Sequence, residues 1–331
     1  METPSIAVVI ALYNGERFIK EALQSVFSQS VPPAEIVVVD DGSSDSGVEV
    51  VESLASSVPL RVVRTANGGQ GAARNRGWSS TDADLIAFLD QDDVWYPTHL
   101  QVLREQFERH TGARPLGWAY SDVDELWADG STVRHGMLRN FPGTHPKTSL
   151  AQCISTDMYI LPSAALVARS ALADVGGFDE RLRGYEDDDL FLRILLAGYD
   201  NVFVDESLSK WRMHAGSSGR SPRMGQSRLI YLDKLVELCG TEAHDYRGNR
   251  LLQDLAVPRM LRSVGVELID GLRSGDRESV ARSIDQLNAI KPHASRRAQL
   301  AIGGIVPAVR TTPVGRLLVR VGAQRLARRA I

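Results

Sequence analysis

Short apolar runs recur through the first ninety residues, and each stops at a polar cluster. Ile6-Ala7-Val8-Val9-Ile10-Ala11-Leu12 is unbroken and rich in β-branched side chains, which predicts a strand covered on both faces, as in parallel sheets. The turn residues Tyr13-Asn14-Gly15 end it. Over 16–27, Phe18, Ile19, Ala22, Leu23, Val26 and Phe27 recur at helical spacing with charge on the opposite face. Pro32-Pro33 closes that unit. Residues 35–39 then predict a second buried strand, 48–55 a helix that Ser44 or Asp45 caps, and 60–65 a third strand. Leu85-Ile86-Ala87-Phe88-Leu89 predicts the fourth. Strand and helix alternating at such short intervals predict a doubly wound α/β sheet with right-handed crossovers.

Two of these strands end in acid: Asp40-Asp41-Gly42-Ser43 follows the second and Asp90-Gln91-Asp92-Asp93 the fourth. Open α/β sheets bind ligands beyond the carboxyl ends of their strands, so the pattern delivers Asp90, Gln91, Asp92 and Asp93 to a cleft. Clustered carboxylates raise one another's pKa unless a cation joins them, and hard oxygen donors suit Mg²⁺ or Mn²⁺. The same residues also suit the start of a helix near Pro97, with Asp92 or Asp93 as its cap, and this segment alone leaves both readings open. An EF-hand is excluded, because with Asp90 in first position Trp95 falls where the loop requires glycine.

The loop Asn67-Gly68-Gly69-Gln70-Gly71-Ala72-Ala73-Arg74-Asn75 opens a helix after the third strand. It nearly spells a dinucleotide fingerprint, which keeps an NAD-dependent oxidoreductase using Gly69 to Arg74 as an alternative. The third glycine is replaced by Arg74, however, and the loop follows the wrong strand. Alternatively, its backbone N–H groups and Arg74 would grip a diphosphate, or the segment is a plain turn. Neither a phosphate-binding G-x-x-x-x-G-K-[ST] loop nor a G-x-S-x-G elbow occurs.

Composition changes this picture little. A chain of 331 residues with 43% apolar content can bury a full core, and its length allows two domains. The net charge of −3 gives no argument for nucleic acid. Cys153 and Cys239 lack the spacing of a disulfide framework or a zinc site and suit a reducing, cytoplasmic setting. The first apolar run is preceded by Glu2 instead of a basic segment, unlike a signal peptide, and no apolar stretch approaches the ~20 residues that span a bilayer.

Between 112 and 157 the pattern is irregular, although 118–127 alternates like a strand and 140–146 suits a loop bordering an acceptor cleft. Trp78, Trp95, Trp118 and Trp127 suit core or cleft wall better than sugar platforms. From 222 onward helices are expected at 229–239, 250–272 and 276–290. No acid follows Asp285, and the tail places Val314, Leu317, Leu318 and Val321 on one helical face with Arg316 and Arg320 on another. Such a segment suits peripheral contact with an anionic bilayer, a homo-oligomer contact or a solvated helix.

Taken together, Tyr13-Asn14-Gly15, Asp40-Asp41-Gly42-Ser43, Gly71-Ala72-Ala73-Arg74-Asn75 and Leu89-Asp90-Gln91-Asp92-Asp93 resemble, in order and spacing, the nucleotide half of the family 2 glycosyltransferases with the GT-A fold. Trp95-Tyr96-Pro97 with Leu100 resembles the continuation after that family's D-x-D motif. Val175-Gly176-Gly177-Phe178-Asp179-Glu180 and Glu186-Asp187-Asp188-Asp189-Leu190-Phe191-Leu192-Arg193 resemble its acceptor-side signatures, and Arg212-x-His214 with Ser217 and Ser218 its closing segment.

The resemblance implies a GT-A doubly wound mixed sheet over 1–220, with a Rossmann-like nucleotide half at 1–95, an acceptor half at 96–220, and a helical C-terminal region at 221–331. It implies an inverting transferase that moves a sugar from a nucleotide sugar, UDP-linked by expectation, to a glycan or lipid-linked acceptor in cell-surface polysaccharide or glycolipid synthesis. Asp40 would bind the base beside Tyr13 and Ala11, the last standing where the family often has proline. Gly71, Arg74, Asp90 and Gln91 would line the donor, and Asp92 with His214 would hold Mn²⁺ or Mg²⁺. Asp187 would be the general base. A non-catalytic nucleotide- or glycan-binding module remains a further alternative.

Overall fold

The computed structural model describes residues 3–141, 143–214, 223–240 and 242–311. Ser217, Ser218, Pro142 and the tail residues Val314, Arg316, Leu317, Leu318, Arg320 and Val321 lie outside them. The chain divides into one unit of residues 1–150 and 158–218 and a second of 151–157 and 219–331.

In the first unit the expected strands form at Ile6–Leu12 (β1), Glu35–Asp40 (β2), Leu60–Arg64 (β3) and Leu85–Asp90 (β4). They pair in parallel in the order β3-β2-β1-β4. β1, β2 and β4 are buried almost end to end, as their unbroken apolar runs require, while β3 is half-covered at the edge. Helices at Ile19–Phe27 (α1), Gly47–Ser53 (α2) and Gln70–Trp78 (α3) link them. The register sets Ala11 beside Asp90 and Leu12 beside Asp40, so the acid-bearing ends of β2 and β4 finish level with the end of β1 between them.

Beyond β4 the sheet turns mixed, through Val94–Trp95 (β5), the helix His99–Arg109 (α4), Leu116–Trp127 (β6), Thr132–Arg134 (β7), Ala165–Ala168 (β8) and Asp200–Met213 (β9). β8 runs antiparallel to both β4 and β6, and β6 lies parallel to β9. Short helices at Met137–Asn140 (α5) and Arg169–Val175 (α7) precede Glu186–Leu196 (α8), and between α5 and α7 the chain forms Leu150–Ser155 (α6), which falls in the second unit from its second residue on. β6 does not expose the polar face that its alternation suggests. Asp122 accepts from the Leu138 N–H (2.7 Å) and Arg139 Nε (2.9 Å), while Asp124 accepts from the Gly136 N–H (3.0 Å) and Tyr96 Oη (2.8 Å). These buried carboxylates fasten the 135–139 segment, whose own sequence is irregular, onto the sheet.

α4 starts at His99 behind Thr98, with β5 intervening, so neither Asp92 nor Asp93 caps a helix. His99 is fully buried, stacked on Trp95 at 4.3 Å, with Nδ1 3.2 Å from the Leu208 carbonyl oxygen. Burial lowers its pKa to about 3, against which the Leu208 carbonyl pulls only partly.

The second unit is helical: Arg223–Cys239 (α9), a π-helical turn at Leu251–Ala256 running into Val257–Ser274 (α10), Arg277–Ile290 (α11) and Arg296–Thr311 (α12). The first of these begins six residues earlier than its apolar spacing suggests, and in that added turn Arg228 is buried and paired with Glu267 at 2.6 Å. Asp276 caps α11 by accepting from the Glu278 and Ser279 N–H groups. Among the described residues, no helix is long and apolar enough to cross a membrane.

His99 stays neutral in the folded chain, whereas the unfolded chain takes up a proton below its ordinary pKa of about 6.5. Stability should therefore fall as pH drops from about 6.5 toward 3, with a limiting slope of about 1.4 kcal/mol per pH unit from this residue. Urea unfolding across that range should show the fall, and His99→Gln should flatten it.

Candidate active site

The turn after β4 sends its four residues in different directions. Asp90 stays at the strand end, where its Oδ1 accepts from Arg74 Nη2 (2.6 Å) and Gln70 Nε2 (2.9 Å), leaving Oδ2 without a hydrogen bond among the described residues. Gln91 does not reach outward. Its amide accepts from the Tyr13 N–H (2.8 Å) and donates to the Tyr13 carbonyl (3.1 Å), stapling the β4 turn to the end of β1. Gly15 makes room for that staple, since a Cβ there would lie 2.4 Å from Gln91 Oε1. Tyr13 itself is half exposed.

Asp93 corrects the expectation that all three carboxylates face a cleft. It is 1% exposed and points into the core, accepting from Ser163 Oγ and from the Arg212 N–H at 2.9 Å. Burial, reinforced by Asp92 and Asp90, pushes its carboxyl well above the usual range. Asp92 does turn outward, and its Oδ2 lies 2.7 Å from His214 Nε2, at the end of β9. Burial and the Asp90 charge raise the Asp92 carboxyl, while His214 opposes them. Arg212 secures this contact: its buried guanidinium donates to the Asp92 carbonyl (2.8 Å) and to Glu21 (2.7 Å), and it lies over the Phe18 ring, against which His214 also packs. The pairing of Asp92 with His214 was legible only as a motif. Arg212 stands in the same Arg212-x-His214 motif, whereas Glu21 and Phe18 carry no local signal.

The glycine loop is not an empty anion cradle. Asp41 accepts from the Gly68 N–H (2.6 Å) and the Gly69 N–H (2.7 Å), so a side chain already occupies the N–H groups that a phosphate would need. Of the amides that the diphosphate and dinucleotide readings would use, those of Gly68 and Gly69 are thereby committed to Asp41. Asp40 is buried, with Oδ1 accepting from the Ser43 N–H at 2.9 Å. Ala11 sits one residue short of the end of β1, beside Asp90. Gly71 faces the Phe178 segment, where an added Cβ would stand 3.5 Å from the Phe178 Cβ.

Arg74 is 2% exposed in its side chain and splits its guanidinium between Asp90 and Asp187, with Nη1 3.0 Å from Asp187 Oδ1. Burial by itself would lower its pKa, but Asp90, Asp187 and Glu186 outweigh that and raise it. Asp187, in the first turn of α8, keeps 29% of its side chain open and its Oδ2 free of hydrogen bonds among the described residues. Burial pushes its carboxyl well above the usual range, with Arg74 pulling against it and Glu186, Asp90 and Asp188 adding to the rise. The neighbouring Glu186 is buried, and its Oε2 has no partner among the described residues.

The Gly177-Phe178 segment is clamped from both sides. Asn75 accepts from the Phe178 N–H and donates to its carbonyl, both at 2.8 Å, while Arg193 donates to the Val175 carbonyl (2.6 Å), the Gly177 carbonyl (2.7 Å) and Asp189 (2.8 Å). Gly177 has φ +69°, and a Cβ there would lie 2.4 Å from Asn75 Oδ1.

A parallel sheet with acid at its carboxyl edge, extended by a mixed half that brings in α8 and the end of β9, is the mixed α/β architecture of the GT-A class. Solved structures share it. The S. aureus TarS 1-349 crystal structure in complex with UDP-GlcNAc aligns with a TM-score of 0.67 at 17% identity, covering 98% of this chain and 92% of that one. The chain belongs to glycosyl transferase family 2, whose family model matches residues 7–176. Relatives include the amylovoran biosynthesis glycosyltransferase AmsB of Erwinia amylovora, 30% identical over 262 residues that span 76% of this chain and 84% of that protein. The uncharacterized glycosyltransferase YibD of Escherichia coli is 30% identical over 71% of this chain and 69% of its own length. An uncharacterized glycosyltransferase of Nostoc is 41% identical over 105 residues, so the chain spans only 33% of that relative's length.

Gly177→Ala should cost about 1–2 kcal/mol for the left-handed backbone alone, and more through displacement of Asn75. A fall in the urea midpoint at unchanged denaturant slope would show it.

Proposed function

We propose that the unit of residues 1–150 and 158–218 is an inverting glycosyltransferase that moves a sugar from a nucleoside diphosphate donor to a hydroxyl of a glycan or lipid-linked acceptor. One observation carries the reading: Asp187 on α8 is joined to Asp90 at the end of β4 through a single guanidinium, which brings a carboxylate with one open oxygen to the acid-bearing end of the sheet. Asp40 and Tyr13 would receive the base, and the open Oδ2 of Asp90 a ribose hydroxyl. A UDP-sugar donor is supported by the UDP-GlcNAc complex of TarS, and a setting in polysaccharide assembly at the cell envelope by the role of AmsB in amylovoran biosynthesis.

A divalent cation fits Asp92 and His214. One carboxylate and one imidazole 2.7 Å apart offer two donors. Among the described residues no group of three His, Cys, Asp or Glu closes around them, so diphosphate oxygens and water would complete the shell, as Mg²⁺ and Mn²⁺ prefer. Bound there, the ion supplies Lewis-acid stabilisation of charge on the leaving diphosphate.

The remaining chemistry falls to the chain. Asp187 Oδ2 takes the proton of the acceptor hydroxyl as its oxygen bonds to the anomeric carbon. The bond from that carbon to the phosphate oxygen breaks on the opposite side, and the nucleoside diphosphate leaves with the electron pair. One base and in-line displacement invert the anomeric centre.

Asp187→Asn should retain thermal stabilisation by UDP with Mn²⁺ but lose transfer by about 10²–10⁴-fold. Asp92→Ala should lose the Mn²⁺-dependent part of that stabilisation, seen in thermal shifts with and without metal. Normal transfer by either variant would count against the reading.

A further inference from the structure

We propose that Arg74 is a positioning residue: by dividing its guanidinium between Asp90 and Asp187 it fixes the Asp187 carboxylate for proton transfer. The inference rests on Asp187 being the base, as argued above. It assigns Arg74 a task different from gripping the donor's base or diphosphate, the part implied by family resemblance.

The geometry is that of a side chain committed inward. Nη2 and Nη1 are each spent on a different carboxylate, at 2.6 and 3.0 Å, and Nε is buried with no acceptor. An arginine placed to grip a phosphate would offer two parallel donors to one group. Here the fork is opened across two groups and a third donor is left unsatisfied, a cost sustained only if the two carboxylates need the bridge. The Phe178 ring lies 5.2 Å from the guanidinium carbon and itself packs edge-on against Phe88, so the plane is held from the side. The next residue, Asn75, locks the Phe178 backbone to α3, which makes the slot for Arg74 a product of the same helix that carries it.

Charge gives the bridge its consequence. Of the groups that act most strongly on Asp187 among the described residues, namely Arg74, Glu186, Asp90 and Asp188, Arg74 is the cation. Burial and the three acids favour protonated Asp187, and a protonated carboxyl cannot accept the acceptor's proton. Lysine could replace the charge but not the fork, because a single ammonium offers no planar pair of donors to two carboxylates.

The test is the pH profile of kcat/KM for UDP release from UDP-GlcNAc with Mn²⁺ and water as acceptor, in wild type, Arg74→Met, Arg74→Lys and Asp187→Asn, each checked for UDP-dependent thermal stabilisation. Arg74→Met should keep that stabilisation while its acidic limb moves to higher pH by about one unit or more. Arg74→Lys should return the limb toward wild type yet leave kcat reduced at least tenfold, and it carries the test should Arg74→Met fail to melt cooperatively. An unmoved limb in Arg74→Met, or wild-type kcat in Arg74→Lys, with Asp187→Asn inactive, overturns this inference alone. Turnover by Asp187→Asn overturns the base assignment and this inference with it.

Discussion

Carboxylates gathered at one edge of a sheet repel, and in a partly desolvated cleft two like charges about 4 Å apart oppose each other by about 4 kcal/mol. The whole edge depends on how that repulsion is met. Two buried arginines meet it from opposite ends of the acid row. Arg74 stands between Asp90 and Asp187 from α3, and Arg212 reaches the Asp92 turn and Glu21 from β9. Asp93 is relieved differently, by withdrawal into the core onto a serine hydroxyl and a backbone N–H, with its carboxyl pushed toward the neutral form. Asp41 finds its counterpart in the amides of the glycine loop. Asp90 and Asp187, to which roles are proposed, each keep one oxygen without a hydrogen bond among the described residues.

Much of what looks like motif chemistry serves to hold those oxygens still. Gln91 spends its amide on Tyr13, Asn75 on Phe178, and Arg193 on the carbonyls that close the Gly176-Gly177 turn. Each joins elements far apart in the chain through hydrogen bonds that water would otherwise take. Their geometry is therefore stable only while the surrounding apolar packing excludes it. This explains how side chains on β4, α3, α8 and β9 can share one set of bonded partners although no short segment of chain contains more than a few of them.

The sequence by itself determined the elements and the edge. Unbroken, largely β-branched runs suit parallel strands covered on both faces, and acid placed directly after such a run emerges at the carboxyl end of the sheet, so Asp40 and Asp90 were legible as strand-end acids, while a cleft role for Asp92 rested on the ordered motifs. The ordered motifs made the family legible too. Tertiary structure decided which acids face outward, that the glycine-loop amides belong to Asp41, and that Arg74 turns toward Asp187. It also decided that the polar face of β6 is buried beneath the 135–139 segment. Local periodicity reports whether a side chain meets water or the core, but hydrogen-bond partners are chosen by three-dimensional proximity and by competition among charges. Neither is written in the spacing of a single element.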